Sequence, residues 1–194
     1  PWHCTEKDRL ERTEERRVPV IVDGEQWISD SWRIAEYLDE TYPDKPALMS
    51  DPAARATAKF IDGWCNVSVF PTLRPLCVAD VFDIIADKAQ AYFRESRERM
   101  LGTKLENLST DPDAERAAFQ KSLAPMETML SVSPFLGGDA PSYADYILFG
   151  SLMWPYTVCK RDMLQKDTRV ADWFGRLLDL NRGYARKAAV RACD

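Results

Sequence analysis

The chain has 194 residues, 45% of them apolar and 29% charged, with a net charge of −5. That length can bury a real core in one large or two small domains, and the acidic balance argues against nucleic acid or an anionic membrane surface as the main partner. No apolar run approaches the roughly 18 residues a membrane helix requires, and no signal peptide is visible. The five cysteines are widely spaced without a C-x-x-C, which fits reduced thiols in a cytoplasmic protein.

Residues 1–17 are polar, and TEKDRLERTEERR reads as a short helix or ordered loop whose alternating charges suit a solvated face. His3 and Cys4 do not amount to a metal site, because this is the chain's one histidine and no cysteine pair stands near it. Val18 to Val22 is a β-branched run, Asp23-Gly24 is a type I′ turn signal, and Glu25 to Ile28 is a second short strand. Together they predict a tight antiparallel hairpin. Pro19, second in the first strand, cannot donate to a ladder, so that edge must face something other than a strand. Ser29, Asp30 and Ser31 offer N-cap side chains to a helix that carries Ile34, Ala35 and Leu38 and is closed by Pro43. Its first turn has unpaired N–H groups that suit a carboxylate. Asp30 could clamp an ammonium while Ser31 holds that carboxylate, although a plain N-cap uses the same residues.

Residues 45–50 read as a linker, and no strand pattern returns after it. Ala53 to Leu76 predicts a long helix with Phe60, Trp64, Val67 and Leu73 on roughly one side, kinked or ended by Pro71 and Pro75. A second long helix is expected over Asp83 to Leu105, with SRER as an exposed charge network. A third starts at Asp111-Pro112 and runs through Met129 and Leu130 to the break at Ser133-Pro134. Gly137-Gly138-Asp139 is a loop. Ser142 and Asp145 form a capping box before the apolar run Tyr146 to Trp154, which predicts a buried central helix. Ala171 to Leu180 makes a last helix, followed by a basic end, YARKAAVRACD, expected to be mobile or a loosely packed tail.

The VPVIVDG strand and turn, with the Asp30-Ser31 pair behind them, resemble the second half of the thioredoxin-like domain of soluble glutathione transferases. There a cis-proline strand leads into a hairpin and an acid- or amide-Ser pair. The stretches TEKDRLERTEERRVPVIVDG, DSWRIAEYLDETYPDKP and YFRESRERMLG are most similar to the bacterial and fungal branch related to the β-etherases of lignin breakdown. The resemblance covers nearly the whole chain. It implies an α+β/α architecture: an incomplete thioredoxin-like N-terminal domain at residues 1–44, a linker at 45–52, and an all-helical transferase domain at 53–194.

The resemblance also implies a chemistry. Glutathione is the co-substrate, no metal takes part, and the protein is a cytoplasmic homodimer. Val18 pairs its backbone with the cysteinyl unit across the Pro19 bend. Asp30 meets the γ-glutamyl ammonium, Ser31 with its N–H holds the γ-glutamyl carboxylate, and Arg17 lies near the peptide. Trp64, Cys65, Phe70 and Leu73 are candidate wall residues for a hydrophobic second substrate, and each is also readable as core. Cys65 has no neighbouring histidine to activate it as a nucleophile. A lone hairpin is marginal, and a thioredoxin-like half needs a preceding βαβ unit of roughly 30 residues. The family places its thiol-activating Ser, Tyr or Cys there, so that residue is expected upstream of Pro1. The function implied is a transferase that conjugates glutathione to a hydrophobic electrophile or cleaves with it, possible targets including aryl ethers. The alternative is a non-catalytic ligand-binding or scaffold protein of the same fold.

Overall fold

The computed structural model describes residues 10–13 and 18–190. His3, Cys4 and Arg17 lie outside the described residues. Of the N-terminal segment, Leu10 and Thr13 are buried, and the Arg12 guanidinium stands 5.6 Å from the centre of the Trp27 ring.

The β-branched run forms the hairpin. Strand β1 (Val20–Asp23) pairs antiparallel with β2 (Gln26–Ser29), Val20 opposite Ser29 and Asp23 opposite Gln26. The Val18–Pro19 peptide is cis, and Pro19 precedes the ladder instead of standing inside it. The turn falls one residue later than its Asp-Gly signal. Gly24-Glu25 is the loop, with positive φ (58°) at Gly24 alone, the pattern of a type II′ turn and not of type I′. Asp23 stays in the ladder because its Oδ2 accepts from the hydroxyls of Tyr37 (3.0 Å) and Tyr42. Both tyrosines belong to the segment that follows, helix α1 (Ser31–Thr41) and its C-cap.

The linker is stitched to both sides of the molecule. Asp39 of α1 accepts from the Leu48 and Met49 N–H groups at 2.7 and 2.8 Å, and the Leu48 carbonyl accepts the Tyr143 N–H at 2.8 Å. Helix α2 (Pro52–Trp64) then starts on an Asp51 cap.

The long helix expected over 53–76 is instead α2, a π turn (Cys65–Val69), and α3 (Phe70–Ile84). Pro71 has no N–H, and in a regular helix its ring would strike the carbonyl of Val67. The wider turn before it, closed by the Phe70 N–H on the Cys65 carbonyl, makes the room. Pro75 is carried inside α3. The π turn also resets the buried stripe, which runs Ala58, Ile61, Cys65, Val69, Leu73, Cys77. Phe60 and Val67 are 72% and 77% exposed, so the expected stripe through them is not the core face.

Helix α4 (Asp87–Leu101) is shorter than expected because α3 continues to Ile84 and the chain turns at Ile85-Ala86. It ends on Gly102 at φ 70°, and Arg94 pairs with Glu98 (3.0 Å) and Glu106 (2.7 Å). The third predicted helix divides into α5 (Pro112–Ser122) and α6 (Ala124–Met129), because Pro125 lacks the N–H that would join them. Helix α7 (Tyr143–Val158) is central and packs on α2 and α3. Helix α8 (Arg169–Gly183) loses helical geometry at Leu180–Arg182 and buries Trp173 completely against the common core. In the described part of the tail Arg186 is anchored: it reaches Asp179 at 2.6 Å and the Gly175 carbonyl at 3.2 Å.

The capping box closes at the head of α7. The Ser142 N–H donates to Asp145 Oδ2 at 2.9 Å, and the Ser142 side chain meets the Asp145 backbone in return. Asp145 does more than cap. Fully buried, it also accepts from the N–H groups of Leu136 (2.8 Å) and Gly137 (3.0 Å) and from the Trp173 indole (2.9 Å). One carboxylate thus fixes α7, the loop before it, and α8.

Candidate functional site

Helix α1 opens toward α2 and α7, and the space between them is a cleft of about 690 Å³. Asp30 and Ser31 stand at its α1 edge; Lys59, Asp62, Cys65, Asn66 and Phe70 come from the α2–α3 side, and Tyr143, Tyr146 and Ile147 from α7.

At the α1 edge the N-cap is real. Asp30 has φ 76°, and its Oδ1 accepts from the Trp32 (3.0 Å) and Arg33 (3.1 Å) N–H groups. A carboxylate has about four lone-pair sites, so capping and holding an ammonium are compatible uses of it. Because Asp30 consumes two first-turn donors, an incoming carboxylate would meet Ser31 foremost, at the positive end of the helix dipole. Val18 and Pro19 are exposed beside the hairpin.

The edge is held from across the cleft. The Tyr143 hydroxyl donates to the Ser31 carbonyl at 2.7 Å, and its ring meets Trp32 edge-on with centroids 5.7 Å apart. Burial raises the Tyr143 phenol above its ordinary value, which keeps it a donor. Trp32 in turn donates to Glu36 at 2.7 Å and carries the Lys59 ammonium 4.6 Å from its ring centre. Lys59 also pairs with Asp62 at 3.0 Å, and Asn66 is tied to the same carboxylate at 3.1 Å. The mouth is therefore polar, with the carboxylates of Asp30, Glu36 and Asp62 set against the cations of Arg33 and Lys59. The floor is apolar.

Of the four candidate wall residues, Cys65 and Phe70 border the cleft. Leu73 is fully buried in the core, and Trp64 packs half-buried against that core; neither lines the cleft. Burial pushes the Cys65 thiol up to about 11, so it is a protonated wall at neutral pH. The sequence reading missed Tyr143, Tyr146 and Ile147 because it took α7 as buried all round. The signal was there: tyrosines at i and i+3 have polar tips that belong on a half-wet face.

Comparison with known proteins identifies the family and the fold. The glutathione S-transferase C-terminal domain family matches residues 56–180, and the N-terminal domain family matches residues 3–46. The chain belongs to the glutathione S-transferase family. It is similar to the glutathione S-transferase-like protein ustS of Aspergillus flavus, 32% identical over 138 residues, which are 66% of this chain and 50% of that protein. Its fold matches the crystal structure of glutathione transferase GSTFuA3 from Phanerochaete chrysosporium with a TM-score of 0.65 at 30% identity, covering 87% of this chain and 66% of that one. It also matches the glutathione S-transferase CsGST63524 of Ceriporiopsis subvermispora, solved in complex with glutathione, with a TM-score of 0.66 at 27% identity, covering 88% and 68%. The chain spans about half the length of the curated relatives it matches.

Proposed function

We propose that this chain carries the glutathione and electrophile sites of a glutathione transferase. The observation that carries this reading is the single cleft in which Asp30 and Ser31 face Phe70, Tyr146 and Ile147. Ser31 and its N–H hold the γ-glutamyl carboxylate, Asp30 Oδ2 meets the ammonium, and the Val18 backbone pairs with the cysteinyl unit beside Pro19, with Arg17 near the peptide. Cys65, Phe70, Tyr146 and Ile147 form the apolar wall for the electrophile, and Trp64 and Leu73 support it from the core. Residues 1–44 and 53–194 act as the two units, joined by 45–52.

In the reaction the glutathione thiolate attacks an electrophilic carbon. With an aryl ether of the β-etherase type, the new S–C bond forms as the C–O bond breaks and an aryloxide leaves. Two polar groups of the cleft do not suit thiol activation: the Cys65 thiol is held protonated, and the Tyr143 hydroxyl is committed to Ser31. On this reading the thiol is activated by a group other than these two. The protein is a cytoplasmic homodimer, and the exposed apolar face with Phe60 and Val67 supports the pairing.

Calorimetric titration of the full natural polypeptide with glutathione and an S-alkyl glutathione tests the reading. Binding that Ser31→Ala weakens by about tenfold, the value of one charge-assisted hydrogen bond, is expected. Absence of binding by the wild type overturns it. Binding without turnover of aromatic electrophiles would favour the non-catalytic ligand-binding alternative.

A further inference from the structure

Among the described residues the transferase reading leaves two cysteines unused, Cys77 on α3 and Cys159 at the C-cap of α7, and they meet in the core. They are 82 positions apart in the chain, yet their sulfurs are 3.0 Å apart, about 1 Å beyond the ~2.05 Å of a covalent S–S bond. Exposure is 0% for Cys77 and 3% for Cys159.

The backbone on either side holds the pair in place. Asp80, one turn beyond Cys77, accepts the Lys160 N–H at 3.0 Å, and the Lys160 ammonium lies 2.9 Å from Asp83. The Cys159 N–H itself closes α7 on the Pro155 carbonyl at 3.0 Å. Access comes from one side. Cys159 borders a 320 Å³ cavity between the end of α7, residues 161–166 and α8, and a 190 Å³ cavity beside Pro75, Asp80 and Lys160. Cys77 borders neither of these.

We propose that Cys77 and Cys159 are a modification site at which a small peroxide, entering beside Cys159, makes an internal disulfide between α3 and α7. Cys159 attacks a peroxide oxygen; the O–O bond breaks, the thiol proton goes to the departing hydroxide, and water and a sulfenic acid result. Cys77 attacks that sulfur; the S–S bond forms, the S–O bond breaks, and the leaving hydroxide takes the Cys77 proton as a second water. Two thiols are oxidised and one peroxide is reduced. The neighbouring Cys159 thiol, together with burial, pushes the Cys77 thiol up and keeps its thiolate fraction small, so the second step rests on the 3.0 Å placement of the two sulfurs. The bond staples together the two helices whose other ends bring Phe70, Tyr143 and Tyr146 to the cleft.

The test treats the folded full-length protein with stoichiometric hydrogen peroxide, blocks remaining thiols with N-ethylmaleimide in denaturant, and maps the digest by mass spectrometry. A Cys77–Cys159 peptide pair, two hydrogens lighter than its parts and released by dithiothreitol, is expected. It should vanish in Cys77→Ser and Cys77→Ala, where dimedone should capture Cys159 as the sulfenic acid. The oxidised wild type should show a higher urea midpoint that dithiothreitol returns to the reduced value. Recovery of both thiols as maleimide adducts while Cys4, Cys65 or Cys193 is oxidised overturns the proposal, as does linkage of Cys159 to another cysteine. Should the Cys77 variants not fold, wild-type protein oxidised in urea decides: the same pairing, no more selective than in the native state, refutes a preformed site.

Discussion

Asp145 is the residue whose loss the fold should feel most. Its two oxygens accept from the Leu136, Gly137 and Ser142 N–H groups, the Ser142 hydroxyl and the Trp173 indole, all with the carboxylate fully buried. Asp145→Ala strands three backbone donors and the indole where water has little room. At roughly 1–3 kcal/mol for each buried donor left unsatisfied, and with some repair by entering water, the loss should be about 4–5 kcal/mol. That is the exceptional end of single-substitution effects. Asp145→Asn keeps one acceptor oxygen but turns an amide NH2 toward the other set of donors, so about half the loss is expected. Ser142→Ala removes only the cap contact and should cost about 1 kcal/mol. Urea unfolding followed by circular dichroism reads all three. If Asp145→Ala unfolds within 1 kcal/mol of the wild type at an unchanged m-value, on the scale of ordinary surface substitutions, the buried-network argument is wrong.

Three further outcomes follow from the cleft and its surroundings. Tyr143→Phe should lower stability by about 1 kcal/mol in urea unfolding and weaken glutathione binding by up to about fivefold, since it removes the hydrogen bond that holds the Ser31 carbonyl; an unchanged Kd would show that Ser31 needs no such support. Burial raises the folded-state pKa of Cys65 to about 11, so the stability its neutral form contributes is complete below the ordinary thiol value of ~8.5 and is lost as pH rises through about 11. Iodoacetamide should therefore label Cys65 slowly at neutral pH in folded protein, and rapid labelling there would refute the assignment. Phe60→Glu, on the exposed face of α2, should shift the species seen by light scattering at tens of micromolar from dimer to monomer without changing the helical signal; a monomeric wild type would remove the reason to pair that face.

The hairpin, α1 and the capping box were legible because each rests on short-range chemistry. A β-branched run, an Asp-Gly signal and an Asp-Ser cap all act within a few residues of one another, and their elements stand within a residue or two of the expected positions. The errors arose where the decisive partner was distant or the rule competed with another. Asp-Gly marked a type I′ turn, but Tyr37 and Tyr42 claimed the Asp23 carboxylate and moved the loop onto Gly24-Glu25. Pro71 promised a break in the long helix. A π turn took up the strain and let the helical path continue into α3.

The candidate site divides along the same line. Asp30 and Ser31 could be singled out because a helix start is written locally, but what holds them in place could not. Tyr143 lies 112 positions from Ser31, and only the folded chain brings its hydroxyl to that carbonyl. Its backbone N–H is also committed, to the Leu48 carbonyl, while Leu48 and Met49 donate to Asp39 of α1. So the residue that opens α7 touches the first turn of α1, and the linker it holds ties back to that helix's last turn. Asp145, two residues later, anchors the same helix to α8. The cleft edge is thereby referenced through α7 to the most buried part of the helical body. Ser31 sits on an exposed helix start, and its position is nonetheless set by the core.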